Sequence, residues 1–290
     1  MKILSYFIYG LVWLVSFLPM RTLYIFSDFL YFLLYYLVKY RRKVVATNLR
    51  NAFPEKMPAE LKTIEKKFYR NLSDTFVELY KPWHMSEKEM KRRYVFKNTA
   101  VLEKYFNENR SIIGVLGHYG NWEWMASFSL WMNQEIDFLT IYKPMHNKIF
   151  DRMMRTIRSR FGAIPVPKNE ILRKIVEERR ENRLFLAGFI ADQTPNRGNL
   201  NFWMDFLNQD TAVLFGTEKI AKKFNLPVIS LFARKIRRGY YEVEFIDLCD
   251  NPEPLEHGEL TIMYMRLLEQ QIKGAPEYWL WSHKRWKYTR

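Results

Sequence analysis

Residues 112–124 read IIGVLGHYGNWEW. An uncharged run, IIGVLG, passes directly into a loop that carries a histidine, a glycine, an asparagine and a carboxylate. A continuous apolar run of this length bounded by turn residues is the pattern of a strand buried on both faces, as in a parallel sheet. The pattern recurs outward from it, with strands predicted at 137–142, 163–167, 184–190, 227–233 and 240–247. Helices are predicted at 99–109, 122–133, 148–161, 169–181, 212–224 and 258–272. Strands alternating with helices give an α/β fold, a mostly parallel central sheet flanked by helices.

Upstream, Leu61, Ile64, Phe68, Leu72, Phe76 and Leu79 recur at three- or four-residue intervals. They predict an amphipathic helix entered near Pro58 and closed by Pro82. Residues 3–18 carry no charge and residues 22–38 carry one, Asp28, with Pro19 and Arg21 between the two runs. At about 1.5 Å per residue the first run reaches roughly 24 Å, short of a ~30 Å hydrocarbon core. One marginal span with an interfacial helix, or a shallow hairpin, is expected, so residues 1–38 form a membrane-anchoring helical segment and 39–290 a single domain. A cleaved signal peptide fits poorly, because the apolar stretch is too long and no small-residue cleavage site follows. A hairpin buried within a soluble protein is the alternative. The cluster KYRRK at 39–43, with Arg50 and no acid before Glu55, is the pattern of cytoplasmic-side retention on anionic head groups. It places the bulk of the protein in the cytoplasm, held on the inner leaflet.

The 290 residues are 48% apolar and 17% aromatic, which excludes disorder and a small stapled scaffold. Lysine and arginine exceed the acids by 46 − 31 = 15, so the partner is anionic: a membrane surface, phosphates or a nucleic acid. The one cysteine, Cys249, allows no internal disulfide and lies near a turn. No histidine or cysteine set has metal-ligand spacing, and no phosphate or dinucleotide loop occurs, so neither metal nor cofactor is expected.

Ligands of open α/β sheets bind beyond the carboxyl ends of the strands, which is where His118 falls. A histidine there can take a proton from a hydroxyl, and a neighbouring carboxylate can fix its tautomer. Glu123, in the first turn of the next helix, is one such carboxylate. Asp192, after the strand at 184–190, is another, and the sequence leaves the choice open. Asn121 suits the N-cap of the helix that follows. Helix 148–161 carries Lys148, Arg152, Arg155 and Arg158 on one face, suited to lipid phosphates or to an acidic carrier surface. Near the end, Trp279, Trp281 and Trp286 alternate with His283, Lys284, Arg285 and Lys287, the composition of a membrane-interface belt or an aromatic nucleic-acid platform. His283 lies among cations, which lower its pKa without orienting it.

The pattern His-x4-acid at this position resembles the membrane-associated acyltransferases, and most closely the late acyltransferases of lipid A biosynthesis, the lauroyl and myristoyl transferases. The resemblance runs from about residue 39 to the end, in RRKVVATNLRNAFPE (41–55), GHYGNWEW (117–124), RSRFGA (158–163), ADQTPNRG (191–198), FLNQDTAVLFGTEKIAKKFNLPVI (206–229) and YWLWSHKRWK (278–287). The His-x4-acid motif alone is loose, whereas six blocks in order are specific. Many members carry aspartate where this chain has Glu123. The resemblance implies a glycerolipid-acyltransferase-like fold for residues 39–290. It implies an O-acyltransferase, with acyl carrier protein as donor and a 3-hydroxyacyl chain of a phosphorylated glucosamine disaccharide lipid as acceptor. His118, Glu123 and Asp192 would be catalytic, and Arg155, Arg158 and Asn121 would bind substrate. Partners would be acyl carrier protein, the phosphorylated glycolipid and inner-membrane anionic lipids, not nucleic acid. The same chemistry on another glycolipid or an aminolipid is the alternative, and a non-catalytic basic membrane-binding protein is the reading from a different class.

Overall fold

The computed structural model describes residues 2–132, 136–288 and 290. The chain runs α1 (Lys2–Val15), α2 (Met20–Phe32), α3 (Arg42–Ala52), α4 (Pro58–Glu78), α5 (Glu87–Arg93), β1 (Tyr94–Lys97), α6 (Ala100–Asn107), β2 (Ile112–Leu116), β3 (Ile136–Tyr142), α7 (Lys148–Arg158), β4 (Ile164–Pro167), α8 (Ile171–Arg180), β5 (Leu184–Ile190), β6 (Trp203–Phe206), β7 (Gln209–Ala212), α9 (Gly216–Phe224), β8 (Val228–Arg237), β9 (Tyr240–Cys249) and α10 (Glu259–Gly274). Seven strands form one sheet in the order β1-β9-β8-β2-β5-β3-β4, and β6 and β7 form a separate hairpin. Every neighbouring pair in the large sheet is parallel except β8 and β9, which are antiparallel. The α/β reading with a mostly parallel sheet therefore stands.

Strand β2 is buried along its whole length, as its unbroken apolar run requires. It lies in the middle of the sheet and pairs with β5 in the register Ile112 to Leu186 through Leu116 to Ile190. The carboxyl ends of β2 and β5 consequently open at one edge, which brings residues 74 apart in sequence side by side. The helix expected at 122–133 is instead a 3-10 helix over Trp122–Trp131. The helix expected from residue 212 begins at Gly216, because Ala212 still belongs to β7.

No single helix among the described residues is long and apolar enough to cross a membrane, and the bent pair Met20–Leu37 and Arg42–Ala52 turns by 86°. Helices α1 and α2 lie on the body of the protein instead. Tyr24 Oη donates to Glu78, Ser27 Oγ to Asp74, and Lys81 Nζ to the carbonyls of Ser16 and Leu18. Their outer faces stay apolar, with Ile3, Phe7, Leu14, Ile25, Phe26 and Phe29 all exposed.

The carboxyl-terminal tryptophans correct the sequence reading. Trp279 and Trp281 are buried in the core rather than displayed as a belt, and Trp286 is half-buried. Their indole N–H groups find partners inside the protein: Asp192, the Pro276 carbonyl and the Thr211 hydroxyl. Satisfied donors allow these large rings to be buried.

Candidate functional site

After β2 the chain turns sharply through Gly117–Asn121. A side chain at Gly117 would run into Leu268 Cδ1 at 2.7 Å and touch Asp192 Oδ2 at 3.4 Å. Gly120 adopts φ +61, a conformation glycine reaches without strain. The turn is held from outside by the carboxyl-terminal segment. Gly120 N–H donates to the Tyr278 carbonyl (2.9 Å), and Leu280 N–H to the His118 carbonyl (3.1 Å).

His118 projects from this turn, and Asp192 meets it from the end of β5. Asp192 Oδ1 lies 2.6 Å from His118 Nδ1, while Oδ2 accepts the His118 main-chain N–H at 2.8 Å and the Trp279 indole N–H at 2.8 Å. Asp192 is 2% exposed and the His118 side chain 17%. Burial alone would raise the Asp192 carboxyl. The charge of the His118 ring, and hydrogen bonds from that ring, from the His118 main chain and from Trp279, outweigh it and hold the carboxyl below its ordinary value. An ionised carboxylate only accepts, so the proton of neutral His118 sits on Nδ1 and the lone pair on Nε2. The Gln193 side-chain amide stands 3.1 Å from that nitrogen.

Glu123 does not contact Asp192 or the His118 ring by hydrogen bond. It forms a bidentate pair with Arg158, 2.9 Å to Nε and 2.8 Å to Nη2, both side chains mostly buried. Burial disfavours the Arg158 cation, and the Glu123 carboxylate more than restores it, leaving the guanidinium above its usual value. The pair ties α7 to the 3-10 helix after β2. Of the two carboxylates left open by the sequence, Asp192 holds the histidine and Glu123 holds the arginine.

Two hollows meet at Trp122 and Glu123. One is a groove of about 260 Å³ bordered by Tyr40, Leu72, Phe76, Leu79, Leu280 and His283. The other is a crevice of about 50 Å³ walled by Met125, Phe138, Ile141, Gly188 and Ile190, with Arg158 at its rim. The Trp122 ring stands edge-on to His118 at 5.1 Å. His283 accepts the Thr194 N–H, and burial pushes its pKa down to about 4, so it is neutral near pH 7.

Asn121 and Arg155, both expected to bind substrate, are each engaged by a carboxylate of the protein. Asn121 caps the 3-10 helix through Trp124 N–H, as expected, but it is completely buried and its amide donates to Glu78. It has no surface for a ligand, because Glu78 is a buried carboxylate that needs donors. Arg155 is half exposed, pairs with Asp151 one turn back and lines neither hollow. Gln193, Glu78 and Trp279 were missed as neighbours of the site. Asp192 was legible from its place after a strand, and Gln193 follows it directly. Cys249 ends β9, and burial raises its thiol, which disfavours the reactive thiolate.

The family model for bacterial lipid A biosynthesis acyltransferases matches residues 1–288. The chain belongs to this family. Among its relatives, the lipid A biosynthesis palmitoleoyltransferase of Escherichia coli (strain K12) is 22% identical over 285 residues, covering 98% of this chain and 91% of that protein. The lipid A biosynthesis acyltransferase of Haemophilus influenzae is 23% identical over 247 residues, covering 84% and 74%. The lipid A biosynthesis lauroyltransferase of E. coli is 22% identical over 281 residues, covering 96% and 89%. For a lipid A acyltransferase, the site has to serve acyl transfer.

Proposed function

We propose that this protein moves a fatty acyl chain from the thioester of acyl carrier protein to the hydroxyl of a 3-hydroxyacyl chain on a phosphorylated lipid A precursor, at a membrane surface. The observation that carries the reading is the His118–Asp192 pair at the carboxyl edge of the sheet, with Nδ1 engaged by a buried carboxylate and Nε2 left as the basic atom. His118 takes the proton as the acceptor oxygen attacks the thioester carbonyl. The tetrahedral intermediate expels the thiolate, which recovers the proton from the imidazolium. A general base of this kind contributes about 10²–10⁴-fold. Arg158, fixed by Glu123 through two of its N–H groups, keeps further donors for the carbonyl oxygen as charge develops there. The apolar groove beside Trp122 suits a hydrocarbon chain.

Membrane association draws on two features. Helices α1 and α2 carry exposed Phe7, Leu14, Phe26 and Phe29, and Lys39, Arg41, Arg42 and Lys43 follow them. Residues Tyr9 and Val12 of α1 pack against Met153, Met154 and Ile157 of α7, the helix that carries Arg158. The apolar surface therefore borders the site, and acceptor lipid can enter from the bilayer side on the cytoplasmic face of the inner membrane.

The test is mass spectrometry of lipid A from cells with the intact protein, without it, and with His118→Ala. Loss of one acyl chain in the last two, and its return with the wild-type protein, is the expected result. Unchanged lipid A together with a change in another acylated lipid would move the acceptor to that lipid. Full acylation by His118→Ala would overturn the role of His118.

A further inference from the structure

The Nε2 lone pair of His118 is not open. The Gln193 amide nitrogen lies 3.1 Å from it, at hydrogen-bond distance and where a hydroxyl proton must arrive for transfer. Because Nδ1 carries its proton toward Asp192, Nε2 is the accepting atom and the amide is the donor. We infer that Gln193 closes the basic nitrogen to water and yields only to the acceptor lipid, so that it decides between acyl transfer and thioester hydrolysis. This inference rests on His118 acting as the base.

The chemistry makes such a gate necessary. A neutral imidazole beside an acyl thioester activates any hydroxyl that reaches it. Water in that place would attack the thioester carbonyl carbon and give its proton to Nε2. The C–S bond would break, and the thiolate would take the proton back, leaving free fatty acid and thiol. The His118 side chain is partly exposed, so water has access to this region. A carboxamide N–H hydrogen-bonds to the lone pair but does not attack a thioester.

Displacement follows from effective concentration. Gln193 is tethered beside His118 by its neighbours in the chain: Asp192 is fixed by His118 and Trp279, and Thr194 by His283 and the Arg285 carbonyl. Untethered water competes poorly with a tethered donor. An acceptor hydroxyl held by its own lipid chains is tethered too, and oriented intramolecular groups reach effective molarities of roughly 10⁵–10⁸ M. The lipid's remote binding energy thus displaces the amide.

The experiment uses the full chain in detergent micelles with the lauroyl and palmitoleoyl thioesters of acyl carrier protein. Free fatty acid is measured without acceptor, and ester with a phosphorylated glucosamine disaccharide that carries 3-hydroxyacyl chains. Gln193→Ala, and Gln193→Asn whose amide is one methylene short, should raise the ratio of hydrolysis to transfer about tenfold, the worth of about one net hydrogen bond. A ratio equal to that of the wild type in both variants overturns the gate. The double variant His118→Ala/Gln193→Ala should show no leak, and a persistent leak overturns the proposal because the water was not activated by His118. Transfer that survives His118→Ala alone instead removes the base on which the gate rests. A readout independent of turnover is diethyl pyrocarbonate labelling, located by mass spectrometry. His118 Nε2 should react about tenfold faster in Gln193→Ala than in the wild type, and equal rates overturn the gate even where a variant has lost both activities.

Discussion

At His118 the hydrogen bonds around Asp192 decide which nitrogen is basic. Oδ2 already accepts two N–H groups, from the His118 main chain and from Trp279. In Asp192→Asn the amide oxygen must take that position, and its NH₂ group then faces Nδ1. Nδ1 becomes the acceptor, the ring proton moves to Nε2, and the base is lost. The variant should therefore fold, keep its KM within a few-fold, and lose about 10²–10⁴-fold in kcat. Single-turnover acyl transfer measures this, and a kcat near wild type would contradict the assigned tautomer. The same carboxylate gives a stability prediction with a fixed sign. Its folded-state pKa lies below the unfolded value, so the ionised group stabilises the fold above about pH 4, and that contribution is lost as pH falls through the folded value. Urea midpoints of wild type and Asp192→Asn should differ more at pH 7 than at pH 3.

Between elements, Glu78 is the junction. It closes α4, is completely buried, and accepts from Tyr24 of α2, Tyr241 of β9 and Asn121 of the turn after β2. Burial raises its carboxyl, and Lys235 opposes that rise without cancelling it. Glu78→Ala would leave three buried donors without partners and should destabilise the protein by about 3 kcal/mol or more, read as a lower urea midpoint. Asn121 would lose its anchor, and with it the cap of the 3-10 helix that presents Glu123. Removing residues 1–38 takes away Tyr24 and Ser27 and uncovers Asp74. The shortened chain should unfold at a lower urea concentration than the full chain, and an unchanged midpoint would show that the two parts are energetically independent. Such junctions mark what the sequence could and could not disclose. The run IIGVLG and its counterpart LFLAGFI are legible as buried strands because apolar continuity is a local property. That Asp192 rather than Glu123 would hold His118 depended on the pairing of β2 with β5, across 74 residues. The hairpin of β6 and β7 escaped because its turn places Leu207 and Asn208 at φ 53 and 60, where an Asn-Gly pair is the usual signal. The terminal tryptophans misled because composition does not say whether an indole N–H has an internal partner.

Across the whole molecule, an excess of 15 positive charges meets an apolar face on α1 and α2. Neither feature alone makes a stable membrane attachment. Cationic residues near an anionic surface contribute about 1 kcal/mol each and are screened by salt, whereas inserted aromatic side chains contribute about 1.5–3 kcal/mol each and are not. Binding to vesicles containing an anionic lipid should therefore weaken as salt is raised but reach a plateau above zero. The plateau belongs to residues such as Phe7 and Phe29, which are 68% and 66% exposed. Phe7→Glu/Phe29→Glu should lower the plateau affinity at least about 100-fold, since two such contributions exceed about 2.8 kcal/mol. Both side chains point away from the core, so the unfolding free energy from urea titration should stay within about 0.5 kcal/mol of wild type. The same variant should still hydrolyse or transfer from acyl carrier protein in detergent micelles, where no bilayer has to be found, yet fail with acceptor embedded in vesicles. Co-sedimentation with vesicles at rising salt measures the plateau, and a double variant that sediments as the wild type does would remove α1 and α2 from the membrane contact.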